Sequence, residues 1–210
     1  MIKIQDIVAN IVRNEPEAYY ALSQGYMNFS AYAAYIHPKV EKMCKKKVLK
    51  QSIVVALSRL ADKTTKAKSL IRTIDIDDIT IKTPLTELVF MKTDAILKNI
   101  SSLYRRANIT KDEFLTLTQS TSEVSIICSD RIVPIVKKLF SDAPILLHSH
   151  LASIGLSLNK RYYHEPNVTY SLLHKIAQKR IVLAETITTH TEIIFVFNTK
   201  DLETIVSLFV

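Results

Sequence analysis

Glycine and cysteine are scarce in this sequence, and tryptophan is absent. With only Gly25 and Gly155, a glycine-rich loop that cradles phosphate groups is hard to build. Cys44 and Cys128 form no CxxC pair, which predicts two reduced, buried thiols. No apolar run reaches the roughly 18 residues that a membrane-spanning helix needs, and the first residues lack a signal-peptide layout. These absences predict a cytoplasmic protein that does not enter a membrane.

Motifs of the common enzyme classes are also missing, since the sequence has no GxGxxG, P-loop, nucleophile elbow or HExxH. His148 and His150 would face one way on a strand, but no further ligand follows at matching spacing, so a polar strand edge is the simpler interpretation. His164 and Glu165 suit acid–base chemistry, yet they are more simply loop residues. We expect a protein that is not an enzyme and that has no cofactor and no metal site.

Positive charge is confined to the first third of the chain. Residues 1–72 hold 13 Lys and Arg against 5 Asp and Glu, whereas residues 73–210 hold 15 of each. The net charge of +8 therefore belongs to the first segment. This asymmetry favours a polyanion-binding module joined to a neutral one, and the alternative is a basic solvated surface without a partner.

Helical spacing dominates residues 1–72, which we interpret as one small helical domain. Apolar residues recur at helical intervals over residues 4–12, and Pro16 suits the first turn of a second helix that stops near Gly25. A third helix begins after Asn28 or Ser30, and Pro38 is expected to kink or restart it. A fourth places four apolar residues on one face: Ile53, Ala56, Leu57 and Leu60.

Residues 30–36 (SAYAAYI) and 52–60 (SIVVALSRL) resemble the second and third helices of a bacterial or archaeal helix-turn-helix module. Residues 37–47 separate them, where the compact motif has three or four residues. In such modules the third helix enters the major groove, so the resemblance implies double-stranded DNA as a partner. The candidate DNA contacts are Lys45, Lys46, Lys47, Lys50, Gln51 and Arg59.

A polar stretch, residues 64–69 (TTKAKS), predicts the linker to the rest of the chain. Alternating isoleucines over residues 74–81 then predict a strand that Pro84 ends, and residues 88–91 predict a further strand. Asp94 is expected to cap the helix that follows. Residues 145–148 and 151–158 likewise predict two strands.

The sequence from residue 73 onwards contains a repeat. Residues 115–128 and 184–197 each alternate around a polar centre, as two strands joined by a turn do, and an amphipathic helix pattern follows both. A shift of 69 residues superposes Glu123 on Glu192 and Leu139 on Leu208. Each unit reads strand–helix–strand–strand–helix with a closing strand, which is the ferredoxin-like order. We predict an α+β chain with a helical domain at 1–72 and two βαββαβ domains at 73–145 and 146–210.

These units resemble the tandem ACT domains in the regulatory region of aspartate kinases. The resemblance covers roughly residues 75–210 and rests on four segments: 104–109 (YRRANI), 121–126 (TSEVSI), 187–197 (ITTHTEIIFVF) and 201–203 (DLE). It implies non-catalytic effector modules that pair with one another and bind an amino acid beside the loop between the first strand and first helix. The physical reason is that free N–H groups at a helix start accept a carboxylate.

The implied ligand-binding residues come from both units. In the first unit they are Met91, Lys92, Thr93 and Asp94, with Ser122 and Glu123 from the hairpin; in the second they are His164, Glu165, Asn167 and Val168. Ala95 and Asn167 stand where the family favours glycine, and Leu117 stands where lysine-sensing kinases carry an acid, so lysine is not implied as the ligand.

Three functions are compatible with this sequence. The leading hypothesis is a homodimeric transcriptional regulator, in which the ACT domains sense a small-molecule effector, an amino acid, and the N-terminal domain binds DNA. The alternative is a regulatory or interaction subunit that docks on an enzyme or other protein without binding DNA. A third possibility is a structural dimer whose ACT pockets bind nothing.

Overall fold

The computed structural model describes residues 3–64, 70–110 and 112–210, which belong to two compact units, Met1–Arg72 and Thr73–Val210. Residues 65–69 of the predicted linker lie outside the described residues. The helices of the first unit are α1 (Ile4–Arg13), α2 (Pro16–Ser23), α3 (Phe29–Cys44) and α4 (Lys50–Thr64). Elements of the second unit are β1 (Ile76–Met91), α5 (Asp94–Ala107), β2 (Leu115–Gln119), β3 (Glu123–Ser129), α6 (Val133–Leu139), β4 (Leu146–Leu158), α7 (Val168–Gln178), β5 (Leu183–Thr188), β6 (Glu192–Asn198) and α8 (Leu202–Val206). None of the described helices is long and apolar enough to cross a membrane.

The helices of the first unit form where the apolar spacing predicts them. The apolar stripe of α1 is buried against α3 and α4, and the predicted inward face of α4 is buried with it. Asn28 caps α3 by accepting a hydrogen bond from the Ala31 N–H at 3.0 Å. Gly25 follows α2 with a φ of +78°, a conformation that costs glycine little. Cys44, predicted to be buried, is partly exposed at the end of α3.

Pro38 does not restart the third helix, which corrects one of the two predicted effects. α3 continues through Pro38 to Cys44, and Lys45 then adopts a left-handed conformation with a φ of 53°. Buried Ala33, Ile36 and Val40 flank the proline on both sides, so packing against the other helices maintains the helix despite the lost N–H donor. Only residues 45–49 therefore separate α3 from α4.

The second unit is built on one antiparallel six-stranded sheet with the order β2-β3-β1-β4-β6-β5. β1 and β4 are long and pair with each other at the centre. The prediction that Pro84 ends a strand is wrong, since β1 continues through it. Pro84 lies where the β1–β4 register shifts between Lys82 and Leu85, and an irregular position in the ladder needs no N–H donor. The two segments predicted on either side of His150 are likewise one strand, interrupted by the left-handed φ of +60° at His150.

Each repeat takes its closing strand from the other repeat. The second half of β1, residues 85–91, pairs with β3 of the first repeat. Its first half, residues 76–82, pairs only with the second half of β4, which belongs to the second repeat and also pairs with β6. The first half of β4, from Leu146, pairs only with the second half of β1. Because each long strand serves both repeats, residues 73–210 form one compact unit, and the limits 73–145 and 146–210 stay a prediction.

The helices cover one face of this sheet with two apolar clusters. Phe90, Ile126 and Leu103 lie at the centre of the first cluster, under α5 and α6. Phe195 and Leu172 lie in the second, under α7 and α8. Both hairpins appear at the predicted positions, and β3 and β6 are offset by the predicted 69 residues.

The opposite face of the sheet has a small buried core of its own, formed by Leu85, Ile127, Leu151 and Val196. The centre of this face is therefore not free to meet a second sheet. Glu87 is buried on this face, where it accepts a hydrogen bond from Ser125 Oγ at 2.9 Å and lies 4.0 Å from His148 Nδ1. Burial, assisted by the negative charge of Glu87, raises the pKa of Glu185 above its ordinary value.

Replacing Glu185 with glutamine is expected to stabilise the second unit most at neutral pH. A carboxyl group whose pKa is raised by folding costs stability while it is ionised, and this cost disappears as the pH falls through the raised pKa. The advantage of the variant should therefore shrink between about pH 7 and about pH 4. Urea unfolding across that range measures it, with exposed Glu203→Gln as the control. A pH-independent difference between Glu185→Gln and the natural protein would contradict the prediction.

Candidate functional site

A cleft of about 440 Å³ lies in the second repeat, between the start of α7 and the turn of the β5–β6 hairpin. The connection between β4 and α7, residues 159–167, forms one wall. The lining residues are Leu158, Asn159, Tyr162, Tyr163, Glu165, Asn167, Val168, Thr169, Tyr170, Thr188, Thr189, His190, Thr191, Glu192 and Ile193.

Residues 159–167 are held in place by polar contacts at their start. The Asn159 side chain accepts a hydrogen bond from the Arg161 N–H at 3.1 Å. Arg161 forms an ion pair with Asp75 and donates to the Tyr162 hydroxyl at 2.8 Å, and that hydroxyl also accepts from the Asp75 N–H at 3.0 Å. The cleft wall is thereby fixed to the segment before β1.

Two aromatic rings meet across the mouth of the cleft. The rings of Tyr163, on the loop, and His190, on the hairpin turn, have centroids 4.4 Å apart. His164 packs edge-on against Tyr163 at 4.6 Å. His190 is far from Tyr163 in sequence, so the fold alone brings these two rings together.

The other two sides of the cleft are the start of α7 and the hairpin turn. Asn167 precedes α7 in a left-handed conformation, with a φ of +66°, and its side chain makes no capping hydrogen bond. Thr189 closes the turn by donating its N–H to the Glu192 carbonyl at 2.8 Å. The cleft thus joins a helix start without side-chain capping, which favours anions, to an exposed hairpin turn.

Two glutamates, Glu165 and Glu192, are among the residues that line the cleft. The Glu192 carboxylate lies over Gly155, where a Cβ atom would come within 2.3 Å of Oε1. It also borders a smaller hollow of about 180 Å³ that Lys82 helps to line. Because Ile193 and Phe195 pack in the cluster under α7, strand alternation places the Glu192 side chain on the opposite face of the sheet, and its charge is directed away from the cleft.

In the first repeat the corresponding loop is short and closed by its own residues. Only residues 92–93 separate β1 from α5. The Lys92 N–H donates to the Ser122 carbonyl at 2.8 Å, and Lys92 Nζ donates to the Ser120 carbonyl at 3.0 Å. Thr93 caps α5 by accepting from the Ile96 N–H at 3.3 Å. The expectation that Asp94 caps this helix is therefore wrong.

The predicted ligand-binding residues are distributed unequally between the two repeats. In the second, Glu165, Asn167 and Val168 line the cleft, and His164 lies beside it against Tyr163. In the first, Met91 is the last residue of β1 and pairs with Glu123, whereas Asp94 and Ala95 are already helical. In the first repeat the structure thus brings Lys92 and Ser122 together, but the loop there is much shorter than residues 159–167 of the second repeat.

Sequence reasoning missed Tyr163, Thr189 and His190 as cleft residues. The shift of 69 residues offered a signal for the hairpin, since it places the predicted Ser122 and Glu123 on Thr191 and Glu192. No comparable signal marks Tyr163, because its loop is much longer than the one in the first repeat.

The first unit exposes all of its candidate DNA-binding residues. These are Lys45, Lys46, Lys47, Lys50, Gln51 and Arg59, in the α3–α4 connection and on α4. A groove of about 420 Å³ along α1 and α4 adjoins them, and it exposes 77% of Leu49 and 43% of Val55. A basic surface and an apolar surface therefore lie side by side on α4.

Metal-ligating side chains do not cluster in threes or more within residues 3–64, 70–110 and 112–210. The left-handed conformation of His150 breaks the regular strand alternation after His148, so the two histidines do not lie on a regular strand edge.

No protein-family model and no curated protein sequence matches the chain. Solved structures of aspartate kinases are similar to it in fold. The aspartate kinase of Clostridium acetobutylicum, described as an allosteric enzyme, has a TM-score of 0.54 at 12% identity, covering 71% of this chain and 39% of that one. The structure of the aspartokinase alpha and beta subunits has a TM-score of 0.50 at 10% identity, and the match covers 63% of this chain and 95% of that one. The ligand-free regulatory subunit of aspartate kinase from Thermus thermophilus has a TM-score of 0.50 at 8% identity, and the match covers 64% of this chain and 95% of that one. This chain therefore spans well under half of the Clostridium enzyme and has the α+β, ACT-like fold of aspartate kinase regulatory subunits.

Proposed function

We propose that this protein is a non-catalytic regulator whose second repeat binds an amino acid in the cleft beside α7. The cleft carries the proposal, because it places a helix start next to a hairpin turn with backbone carbonyl groups and next to an aromatic wall. An amino acid has a carboxylate, an ammonium group and a side chain to match these three features. The ACT-like fold supports a regulatory role.

A thermal-shift screen of the twenty amino acids tests this function. A ligand present at about 100 times its Kd should stabilise the folded second unit by about 2.7 kcal/mol. Replacing Tyr163 with alanine should weaken binding roughly tenfold, because the ring wall of the cleft is lost. Tyr104→Ala removes a half-exposed ring from α5 of the first repeat and should leave affinity unchanged. No shift with any amino acid would reject the function.

For the first unit we propose DNA binding through α4. The candidate lysines, Gln51 and Arg59 are exposed, and only residues 45–49 separate α4 from α3, closer to a helix-turn-helix turn than the sequence suggested. Binding of labelled duplex DNA should weaken steeply with salt, with a log–log slope of about −0.9 for each phosphate contact. Lys46→Gln and Lys50→Gln should each reduce that slope by roughly 1. Negligible binding at low salt would reject the proposal.

A second candidate function for this unit is docking on another protein without DNA. The groove that exposes Leu49 and Val55 favours it, since apolar side chains of this size gain little from phosphates but stabilise protein interfaces. Its basic border would suit a partner with acidic residues around an apolar centre. Leu49→Ser separates the two functions, because it should weaken protein docking and leave the salt slope of DNA binding unchanged.

We further propose that two copies of the chain pair through the free edge of β4. Among the described residues, no strand pairs with the outer side of residues 76–82 of β1 or of residues 145–149, which form equivalent free edges beside the long central strands. Charged Asp77, Asp78 and Lys82 protect the first edge, whereas the second carries exposed Ile145, Leu146 and Leu147 without any charge. An uncharged edge can pair with its own copy without like-charge repulsion.

A further inference from the structure

The hairpin turns of the two repeats have the same backbone geometry. In the first, the Ser120 N–H donates to the Glu123 carbonyl at 2.9 Å, and in the second the Thr189 N–H donates to the Glu192 carbonyl at 2.8 Å. In both turns the hydroxyl of the first residue also accepts from the N–H of the glutamate. The Thr189 carbonyl of the second repeat therefore corresponds to the Ser120 carbonyl of the first.

The residues at the end of the first strand of each repeat are equivalent as well: Lys92 directly follows β1, and Leu158 is the last residue of β4. The Lys92 N–H donates to the Ser122 carbonyl at 2.8 Å, and the Leu158 N–H donates to the Thr191 carbonyl at 2.7 Å. Ser122 and Thr191 are themselves 69 residues apart. Leu158 thus occupies in the second repeat the position that Lys92 occupies in the first.

The first repeat supplies two polar groups to itself at this place. The ammonium group of Lys92 donates to the Ser120 carbonyl at 3.0 Å. The hydroxyl of Thr93 accepts the Ile96 N–H in the first turn of α5. The Lys92 ammonium group thus takes the place of the ammonium group of an amino acid, and the Thr93 hydroxyl takes the place of its carboxylate at the helix start.

The second repeat has neither group. Leu158 has no polar side chain, and Asn167, the counterpart of Thr93 before α7, makes no side-chain capping bond. Leu158, Asn167 and Thr189 all line the open cleft, which residues 159–167 enlarge.

We propose that Lys92 and Thr93 close the first repeat to ligands, and that the second repeat binds one α-amino acid per chain. The ligand's ammonium group donates to the Thr189 carbonyl, just as Lys92 Nζ donates to the equivalent Ser120 carbonyl in the first repeat. The ligand's carboxylate accepts hydrogen bonds from N–H groups in the first turn of α7. This inference rests on the proposed function of the cleft. It adds the orientation of the ligand in the cleft and a stoichiometry of one ligand per chain, where two equivalent repeats would bind two.

The test uses the full chain and the amino acid that gives the largest shift among the twenty. Calorimetric titration should show one ligand per chain, and the 2-hydroxy acid with the same side chain should bind about 10- to 100-fold more weakly, because it lacks the charged donor. Leu158→Lys should copy the first repeat and weaken amino-acid binding by at least the same factor. Val182→Lys adds a lysine at an exposed position of the same unit outside the cleft lining and should retain the affinity.

Equal affinity for the amino acid and its hydroxy acid would overturn this inference, as would two ligands per chain. Unchanged amino-acid affinity in a folded Leu158→Lys variant would overturn it too, while the proposed function would stand in each of these cases. If Leu158→Lys does not fold, the hydroxy-acid comparison and the stoichiometry still decide. If no amino acid binds the natural chain, both the proposed function and this inference fail.

Discussion

Replacing Leu151 with alanine should lower the free energy of unfolding of the second unit by about 2–5 kcal/mol, because a cavity opens in a fully buried site. Leu151 pairs with Leu85 on β1 and Asn198 on β6, and it packs against Ile127 on β3. Its loss therefore affects strands of both repeats. We expect both repeats to open together, since they share the central strands.

Hydrogen–deuterium exchange, resolved by peptide, measures this effect in each element. Exchange should rise equally in β3 and β6 of the Leu151→Ala variant and stay unchanged in α1, which belongs to the other unit. Leu97→Ala, on a partly exposed position of α5, is the control for a leucine lost without a cavity. Faster exchange in β6 with unchanged protection in β3 would show two independently stable domains and contradict the prediction.

Replacing Leu147 with lysine should convert the proposed dimer into a monomer. Leu147 is 48% exposed at the uncharged edge of β4, and a lysine there would bury an unpaired charge in the interface. We expect the dimer Kd to rise at least about 100-fold, which corresponds to about 2.7 kcal/mol. Sedimentation velocity over a range of protein concentrations measures this change.

The repeat provides a matched control for this substitution. Ile81 is 42% exposed on the first half of β1, the equivalent free edge that Asp77, Asp78 and Lys82 already protect. Ile81→Lys should leave the oligomeric state unchanged. A natural chain that sediments as a monomer at all concentrations, or a dimer that Ile81→Lys dissociates, would show that the β4 edge is not the interface.

Local periodicity accounts for the elements that the sequence predicted well. The stripe of α1, the inward face of α4 and both hairpins depend on residues a few positions apart, so the pattern and the structure agree. The predicted restart at Pro38 and the predicted strand ends at Pro84 and beside His150 were wrong, because packing or a shifted register carries each element through that residue.

The candidate site was predicted in part for the same reason. Asn167 and Val168 mark a helix start, which is a local feature, and they do line the cleft. Tyr163 and His190 escaped notice because their contact at 4.4 Å depends on how a loop and a distant hairpin meet. The bond from Lys92 Nζ to the Ser120 carbonyl likewise joins residues that no sequence pattern connects.

Charge, apolar spacing and the shift of 69 residues are properties of the order of the residues, so they already indicate a basic helical segment followed by two copies of a βαββα unit. The exchange of closing strands in one sheet, and the contrast between a closed loop and an open one, became visible in the folded chain. Strand partners and clefts depend on contacts between residues far apart in the chain, which local patterns do not specify.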